Sequence, residues 1–332
     1  MTMDVIYNWG IKLIQSFQDA GTFLLSPMQF FSFLGYDLFY LLIAPVVFWS
    51  FDAAAGLRLG IFLMSSNFLN GLVKIFFHAP RPYWYSASVK AYTPEGSFGI
   101  PSGHAQNSVV FFGTLARFIR RTWGWIIALL LMFFIGLSRI YLGVHFPTDV
   151  FAGWLIGAIL FGLLLRLEQP VLQWLKRLSL PSQWAVILAA ALGMIALYWL
   201  ARYSLGDWQI PEEWIRNAAI AFPDEPIQPL SLSSAVSTAA AFFGLGSGAS
   251  LLYRLGWYNA SGSAGQRALR YLIGLLGMVA IYFGLDAVFP VGEDFLSLFL
   301  RFIRYALVGF WVTCLGPLIF IKTKLAQPSR KT

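Results

Sequence analysis

Of 332 residues only Cys314 is a cysteine, and only His78, His104 and His145 are histidines. A thiol with no possible partner in the chain excludes a disulfide scaffold, and its place in an apolar run suits an inert buried side chain. Charge is nearly as scarce: 11% of the residues are charged, against 58% hydrophobic and 17% aromatic. That balance excludes an ordinary soluble globule and predicts a polytopic membrane protein. The charges lean basic, 23 Lys and Arg to 15 Asp and Glu, but the cations are scattered over short connections. Without one basic face, no nucleic-acid partner is expected. No acidic cluster of metal-ligand type accompanies the cations, so neither a metal nor a cofactor is expected. The first twenty residues hold Asp4, Lys12 and Asp19 and lack an unbroken apolar core, which argues against a cleaved signal peptide.

What the chain does have is apolar runs, at about 36–54, 57–77, 105–121, 123–143, 150–167, 183–202, 234–254, 269–288 and 299–321. Crossing a bilayer takes roughly twenty residues. The pattern predicts an all-α fold of about nine transmembrane helices. Before them, Val5, Ile6, Trp9, Leu13 and Phe17 fall at near-helical spacing around Lys12, Gln15 and Gln18, an amphipathic helix of interfacial type. The division expected is residues 1–170, with every histidine and most polar residues placed within spans, and residues 171–332, a further group of membrane helices. Gly244, Gly246 and Gly248 in that second group read as close helix packing.

Basic residues recur in alternate connections: Arg117, Arg120 and Arg121; Arg166, Lys176 and Arg177; Arg254, Arg267 and Arg270; Lys322, Lys324, Arg330 and Lys331. Acidic residues collect in the others, at Asp207, Glu212, Glu213, Asp224, Glu225, Glu293 and Asp294. The positive-inside rule makes the basic side cytoplasmic. The chain is then an integral protein of the cell membrane, with its N-terminus outside, its C-terminus in the cytoplasm, and loops 78–104 and 144–149 extracytoplasmic.

Three polar clusters share that outer side. Lys74 ends one span, and Arg81 follows within His78-Ala79-Pro80-Arg81-Pro82. Two converging cations suit a dianion, the arginine as a fork and the lysine as a point charge; snorkelling to lipid headgroups is the alternative. Pro101-Ser102-Gly103-His104 opens a helix whose free amides can bind an anion, with Ser102 adding a hydroxyl and Gly103 allowing close approach. Alone, it equally describes a capped helix with an interfacial histidine. In Ser138-Arg139-Ile140-Tyr141-Leu142-Gly143-Val144-His145-Phe146-Pro147-Thr148-Asp149, Asp149 lies four residues past His145 and can fix its tautomer, freeing the other nitrogen for attack. Alone, that stretch also fits a histidine capping a helix beside an ion pair. Three cations, a helix start, two histidines and one carboxylate on one membrane side make a phosphoryl-transfer site without a metal. His78 reads as a solvated loop residue, and loop 85–100, with Tyr85, Lys90, Tyr92, Glu95 and Phe98, as a lid whose aromatics rest on acyl or prenyl chains.

These clusters, over about residues 36–167, resemble the three motifs of the type 2 phosphatidic acid phosphatase superfamily. Arg81-Pro82-Tyr83-Trp84 and the run from Ser138 to Pro147 are also similar to the glucose-6-phosphatase catalytic subunit, whereas Asp149 keeps the lipid-phosphatase form of the third motif. The resemblance implies that His145 is the nucleophile, oriented by Asp149. His104 would protonate the leaving oxygen and then activate water, while Lys74, Arg81, Ser102, Gly103 and Arg139 hold the phosphoryl oxygens. The expected substrate is a lipid phosphate or diphosphate at the bilayer, with a sugar phosphate as the alternative. Further from these stand a vanadate-holding haloperoxidase, and a transporter or binding module carrying a phosphatase.

Overall fold

The computed structural model describes residues 3–329; Arg330 and Lys331, counted above among the cytoplasmic cations, lie outside the described residues. The helices run in chain order α1 (Met3–Asp19), α2 (Leu25–Phe33), α3 (Asp37–Ser50), α4 (Ala53–Phe77), α5 (Pro82–Tyr85), α6 (Gly103–Ile119), α7 (Thr122–Tyr141), α8 (Pro147–Arg177), α9 (Leu180–Tyr203), α10 (Glu212–Ala221), α11 (Ser233–Arg254), α12 (Ala264–Asp286), α13 (Phe295–Phe310) and α14 (Gly316–Lys322). The strand content among the described residues is one two-residue pair, Tyr258–Asn259 with Gln327–Pro328. The chain is therefore a helical, polytopic membrane protein. Along α8, Phe151, Leu155 and Ile159 are exposed at a four-residue spacing while Val150, Gly153 and Gly157 are buried. A stripe of large apolar side chains facing out of a protein needs lipid as its solvent.

Seven of the described helical segments are long and apolar enough to cross a membrane, and the bent pair α2–α3 would make eight. The sequence expectation was about nine. The difference is the run at 105–121, which folds as the 17-residue α6 with Gln106, Asn107, Ser108 and Thr114 all buried. It is both shorter and more polar on its inner face than a free-standing span.

The chain forms two compact units, each discontinuous in sequence: Met1–Phe39 with Leu69–Gly162 and Leu200–Ser231, and Tyr40–Phe68 with Leu163–Trp199 and Leu232–Thr332. The first unit thus recruits residues 200–231, from beyond the sequence division at residue 170. Its core joins Tyr83, Trp84 and Phe98 to Phe146 and Val150, with Trp208, Trp214, Phe222 and Ile227 packed against them. The Asn217 amide donates to Trp84 O at 3.0 Å. Helix α1 buries Gly10, Ile11 and Ile14 and exposes Val5, Trp9 and Phe17, so it has a protein face and an outward apolar face. Tyr7 stacks on Phe146 at 4.9 Å, directly behind the turn carrying His145.

The second unit packs around Phe48, Trp49, Tyr258, Met278, Val312 and Phe320. The Trp49 indole donates to Val312 O at 2.8 Å, satisfying a polar group that would be costly to bury alone. A Cβ on Gly244 would collide with Ala306 O, and one on Gly248 with Thr313, so these two glycines set a close approach of α11 to α13 and the π-helical turn Trp311–Leu315, as expected. Arg304 pairs with Asp286 and lies over the rings of Tyr282 and Tyr305. Cys314 is buried and unpaired.

Candidate active site

The site is built where α7 ends and α8 begins. Gly143, at φ +70°, closes α7 in a left-handed conformation that costs glycine little. The Arg139 carbonyl then accepts the backbone N–H groups of both Val144 and His145 at 3.3 Å. Pro147 opens α8, a position where its missing N–H is no loss. Within the first turn, Asp149 Oδ2 accepts the Phe146 N–H at 2.9 Å and lies 3.2 Å from His145 Nδ1. The other imidazole nitrogen, Nε2, lies 3.0 Å from an Arg81 guanidinium nitrogen. A guanidinium only donates, so Nε2 must be the acceptor, which leaves the proton on Nδ1 facing Asp149. His145 is thus held in the tautomer that presents a lone pair at Nε2. Burial, then the charges of Arg81, Lys74 and Arg139, push its imidazole well below the ordinary value, which keeps that lone pair free of protons.

Arg81 is buried and uses its whole fork. Nε donates to Ser97 O at 2.6 Å, one terminal nitrogen to Val144 O at 2.9 Å and to His145, and the other to Ser97 Oγ at 3.0 Å and Glu95 Oε2 at 3.3 Å. Arg139 donates to Ser32 Oγ and to Glu95 Oε1, and lies over the Tyr36 ring. Its Nε has no hydrogen-bond partner among the described residues. Lys74 Nζ donates to the carbonyls of Phe98 and Gly99. Burial alone would raise the Glu95 carboxyl, but Arg81 and Arg139, with His104 and Lys74, outweigh it and hold it at about 2.

The helix start at Pro101–His104 is tied to this turn through the backbone, since Ser102 N–H donates to Asp149 O at 2.9 Å. Ser102 caps α6, its hydroxyl accepting the Ala105 N–H at 3.4 Å. A Cβ on Gly103 would sit 3.2 Å from Asn70 Oδ1. The His104 ring meets Tyr36 edge-on at 4.7 Å, and its Nε2 is buried with no hydrogen-bond partner among the described residues. A buried ring nitrogen left open in this way is rare enough to ask for a ligand.

In the sequence Glu95 reads only as part of a lid and Ser97 carries no signal, though both engage Arg81. The signal was a lone carboxylate between Arg81 and the helix start, with no partner assigned to it. The lid aromatics also behave differently from expectation. Phe98 is buried against Trp84 and Trp208, and Tyr92 stacks on Tyr141 at 6.0 Å, because those rings belong to the core of the first unit. His78 is not solvated but half-buried, with its ring 4.9 Å from that of Trp208.

Comparison with known proteins adds to this geometry. The model of the PAP2 superfamily matches residues 55–173. The model described as PAP2 superfamily phosphatase, transmembrane extension, matches residues 236–328. The chain belongs to the PAP2 superfamily. Within the PAP2 match lie Lys74, Arg81, Glu95, His104, Arg139, His145 and Asp149, while the bracing residues 200–231 fall between the two matched segments. The chain is similar to phosphatidylglycerophosphatase B of Bacillus subtilis, 30% identical over 125 residues, 35% of this chain and 59% of that one. It is also similar to an undecaprenyl-diphosphatase of Sulfolobus acidocaldarius, 30% identical over 115 residues, 34% of this chain and 55% of that one. Against glucose-6-phosphatase 3 of Rattus norvegicus it is 29% identical over 233 residues, 62% of this chain and 60% of that one. The chain therefore spans less than two thirds of the length of each of these relatives.

Proposed function

We propose that this chain is a membrane phosphatase that hydrolyses a phosphate monoester or diphosphate, preferably of a lipid, through a phosphohistidine on His145. The observation that carries the reading is the imidazole itself. Its Nδ1 faces Asp149, and its Nε2 lone pair faces the Arg81 guanidinium. In the reaction Nε2 attacks phosphorus, the bond from phosphorus to the ester oxygen breaks, and His104 protonates that oxygen as it leaves. His104 then takes a proton from water, which attacks phosphorus and releases phosphate from His145. Lys74, Arg81 and Arg139 neutralise the phosphoryl oxygens, with Ser102 and Gly103 at the helix start beside them, so these side chains carry the work a metal would otherwise do.

Two observations favour a lipid over a sugar. Of the candidates for bonding sugar hydroxyls, Asn67, Asn70, Gln106 and Asn107, two are already committed: Asn70 and Gln106 are buried and hydrogen-bonded to one another at 3.0 Å. The relatives also include proteins named for phosphatidylglycerophosphate and undecaprenyl diphosphate. The longer match to glucose-6-phosphatase 3 keeps a sugar phosphate as the second reading.

In this reading residues 1–170 supply the chemistry and residues 171–332 an additional membrane region. The active site faces outside the cytoplasm, with the N-terminus outside and the C-terminus inside. Support comes from the α6–α7 hairpin: the site residues Gly103, His104 and Arg139 lie at one end of these helices, and Arg117, Arg120 and Arg121 at the other. The deciding experiment measures phosphate release by purified protein, in chelator, from a short-chain lipid phosphate, a prenyl diphosphate and glucose 6-phosphate. Turnover without metal, highest on a lipid and abolished in His145→Ala, is expected. Activity retained by folded His145→Ala, or lost in chelator and restored by magnesium, overturns the mechanism. Higher catalytic efficiency on the sugar phosphate promotes the second reading.

A further inference from the structure

The two guanidiniums already hold a carboxylate. Glu95 sets one oxygen on Arg139 and the other on Arg81, the bridging arrangement that a phosphoryl group would adopt. The exposures differ sharply: the side chain of Arg81 is 1% exposed and that of Arg139 0%, but that of Glu95 is 19%. The carboxylate therefore forms the open side of this cation cluster. An arginine has five N–H donors, and three of those on Arg81 go to fixed acceptors in Ser97 and Val144. The remaining two go to Glu95 and to His145 Nε2. Those two can be handed to an incoming group without unpicking the loop.

We propose that Glu95 is a gate carboxylate, a built-in competitor that occupies the anion site and swings out when a phosphoryl group enters. The inference rests on the phosphate-site reading above. Charge favours exchange over coexistence. With His104 and His145 uncharged before a substrate enters, the site formally holds three cations, Lys74, Arg81 and Arg139, and two carboxylates, Glu95 and Asp149. A phosphoryl dianion arriving beside Glu95 would leave a net charge of one minus in a buried site, whereas its arrival with Glu95 withdrawn leaves the site neutral. The motion is confined to the side chain. The Glu95 backbone is clamped by the Tyr83 hydroxyl, which donates to its carbonyl and accepts its N–H, each at 3.0 Å, and the adjacent Gly96 carbonyl accepts Gln228 N–H at 3.0 Å. The gate selects by charge: a singly charged anion gains no more from the guanidiniums than Glu95 does, and only a dianion displaces it.

The test is direct binding of inorganic phosphate and of orthovanadate to the full-length protein in detergent, by calorimetry, for wild type, Glu95→Gln and Glu95→Ala. Asp224→Asn, at an exposed carboxylate, controls for the general loss of a negative charge. A gate that is withdrawn a tenth of the time weakens the apparent affinity tenfold, so both Glu95 variants are expected to bind about tenfold or more tightly than wild type. Asp224→Asn should match wild type. If Glu95 instead only orients the arginines, the variants bind equally or more weakly, and that result overturns the gate alone. Binding by neither wild type nor variants overturns the phosphate site itself.

Discussion

Replacing Asp149 with asparagine isolates the orienting carboxylate with little change of shape. The carboxylate makes two contacts with the same oxygen, one from the Phe146 N–H at 2.9 Å and one with His145 Nδ1 at 3.2 Å. An asparagine oxygen set in that place keeps the Phe146 N–H and still accepts from Nδ1, but without the charge, so the turn should still fold. Turned over, the amide gives up the Phe146 bond and points N–H groups at Nδ1, which is rewarded only if Nδ1 becomes the acceptor and the proton moves to Nε2. That tautomer blocks the nitrogen that attacks. The lost charge-assisted hydrogen bond is by itself about 1.5–3 kcal/mol, a factor of about ten to a hundred and fifty. In a Ser-His-Asp triad the same change, acting through the tautomer, lowers kcat about ten-thousand-fold. Asp149→Asn is therefore expected to lower kcat by about tenfold or more if the oxygen keeps its place, and by up to about ten-thousand-fold if the amide turns over. Vanadate affinity should stay close to wild type, because Lys74, Arg81 and Arg139 are untouched. The assay pairs steady-state hydrolysis of a lipid phosphate with vanadate binding on one preparation. A near-normal kcat, or a rise in KM alone, would refute the tautomer argument.

Two further outcomes follow from the same geometry. Arg81→Lys keeps the charge but replaces a five-donor fork with a three-donor ammonium; with Ser97 and Val144 losing donors, vanadate affinity should fall by about tenfold or more, and unchanged affinity would show that the fork is not needed. For sidedness, a cysteine at Lys90 should be labelled by an impermeant reagent in intact cells while one at Arg121 is not; the reverse pattern would place the site in the cytoplasm.

The His145 turn was legible because its logic is local. The four-residue spacing from His145 to Asp149 across a proline that starts a helix leaves the side chains little choice, and the structure sets them 3.2 Å apart. The Arg81 and Arg139 cations were legible for another reason: a charge beside apolar runs must face protein or water. Glu95 was not, because its position depends on contacts distant in sequence, with Tyr83, Arg139 and, through Gly96, Gln228. The same holds for residues 200–231. Only the acidic residues of that connection stand out in the sequence, and Trp208, Trp214 and Phe222 gain a role by packing into the core of Tyr83, Trp84 and Phe98. Hydropathy alone also did not show that α6 would stop at 17 residues and carry Gln106, Asn107 and Ser108 buried in its first turns, which sets it apart from the seven longer apolar segments.

The division between fixed and movable parts has a consequence for catalysis. Electrostatic stabilisation is strongest when dipoles and charges need no rearrangement as charge develops. The His145 turn is held by the Arg139 carbonyl, by Asp149 and by the Tyr7–Phe146 stack, and Arg81 by Ser97 and Val144. Behind them the aromatic core around Trp84 and Phe98 is closed by Trp208 and the Asn217 bond. Reorganisation on substrate entry then falls on Glu95, the acidic partner of the guanidiniums that has solvent within reach. A loosened brace should consequently damage the reaction differently from a lost gate. Removing the Asn217 amide disturbs how Arg81 is aimed and lowers kcat, whereas removing the Glu95 carboxylate changes what the site will bind.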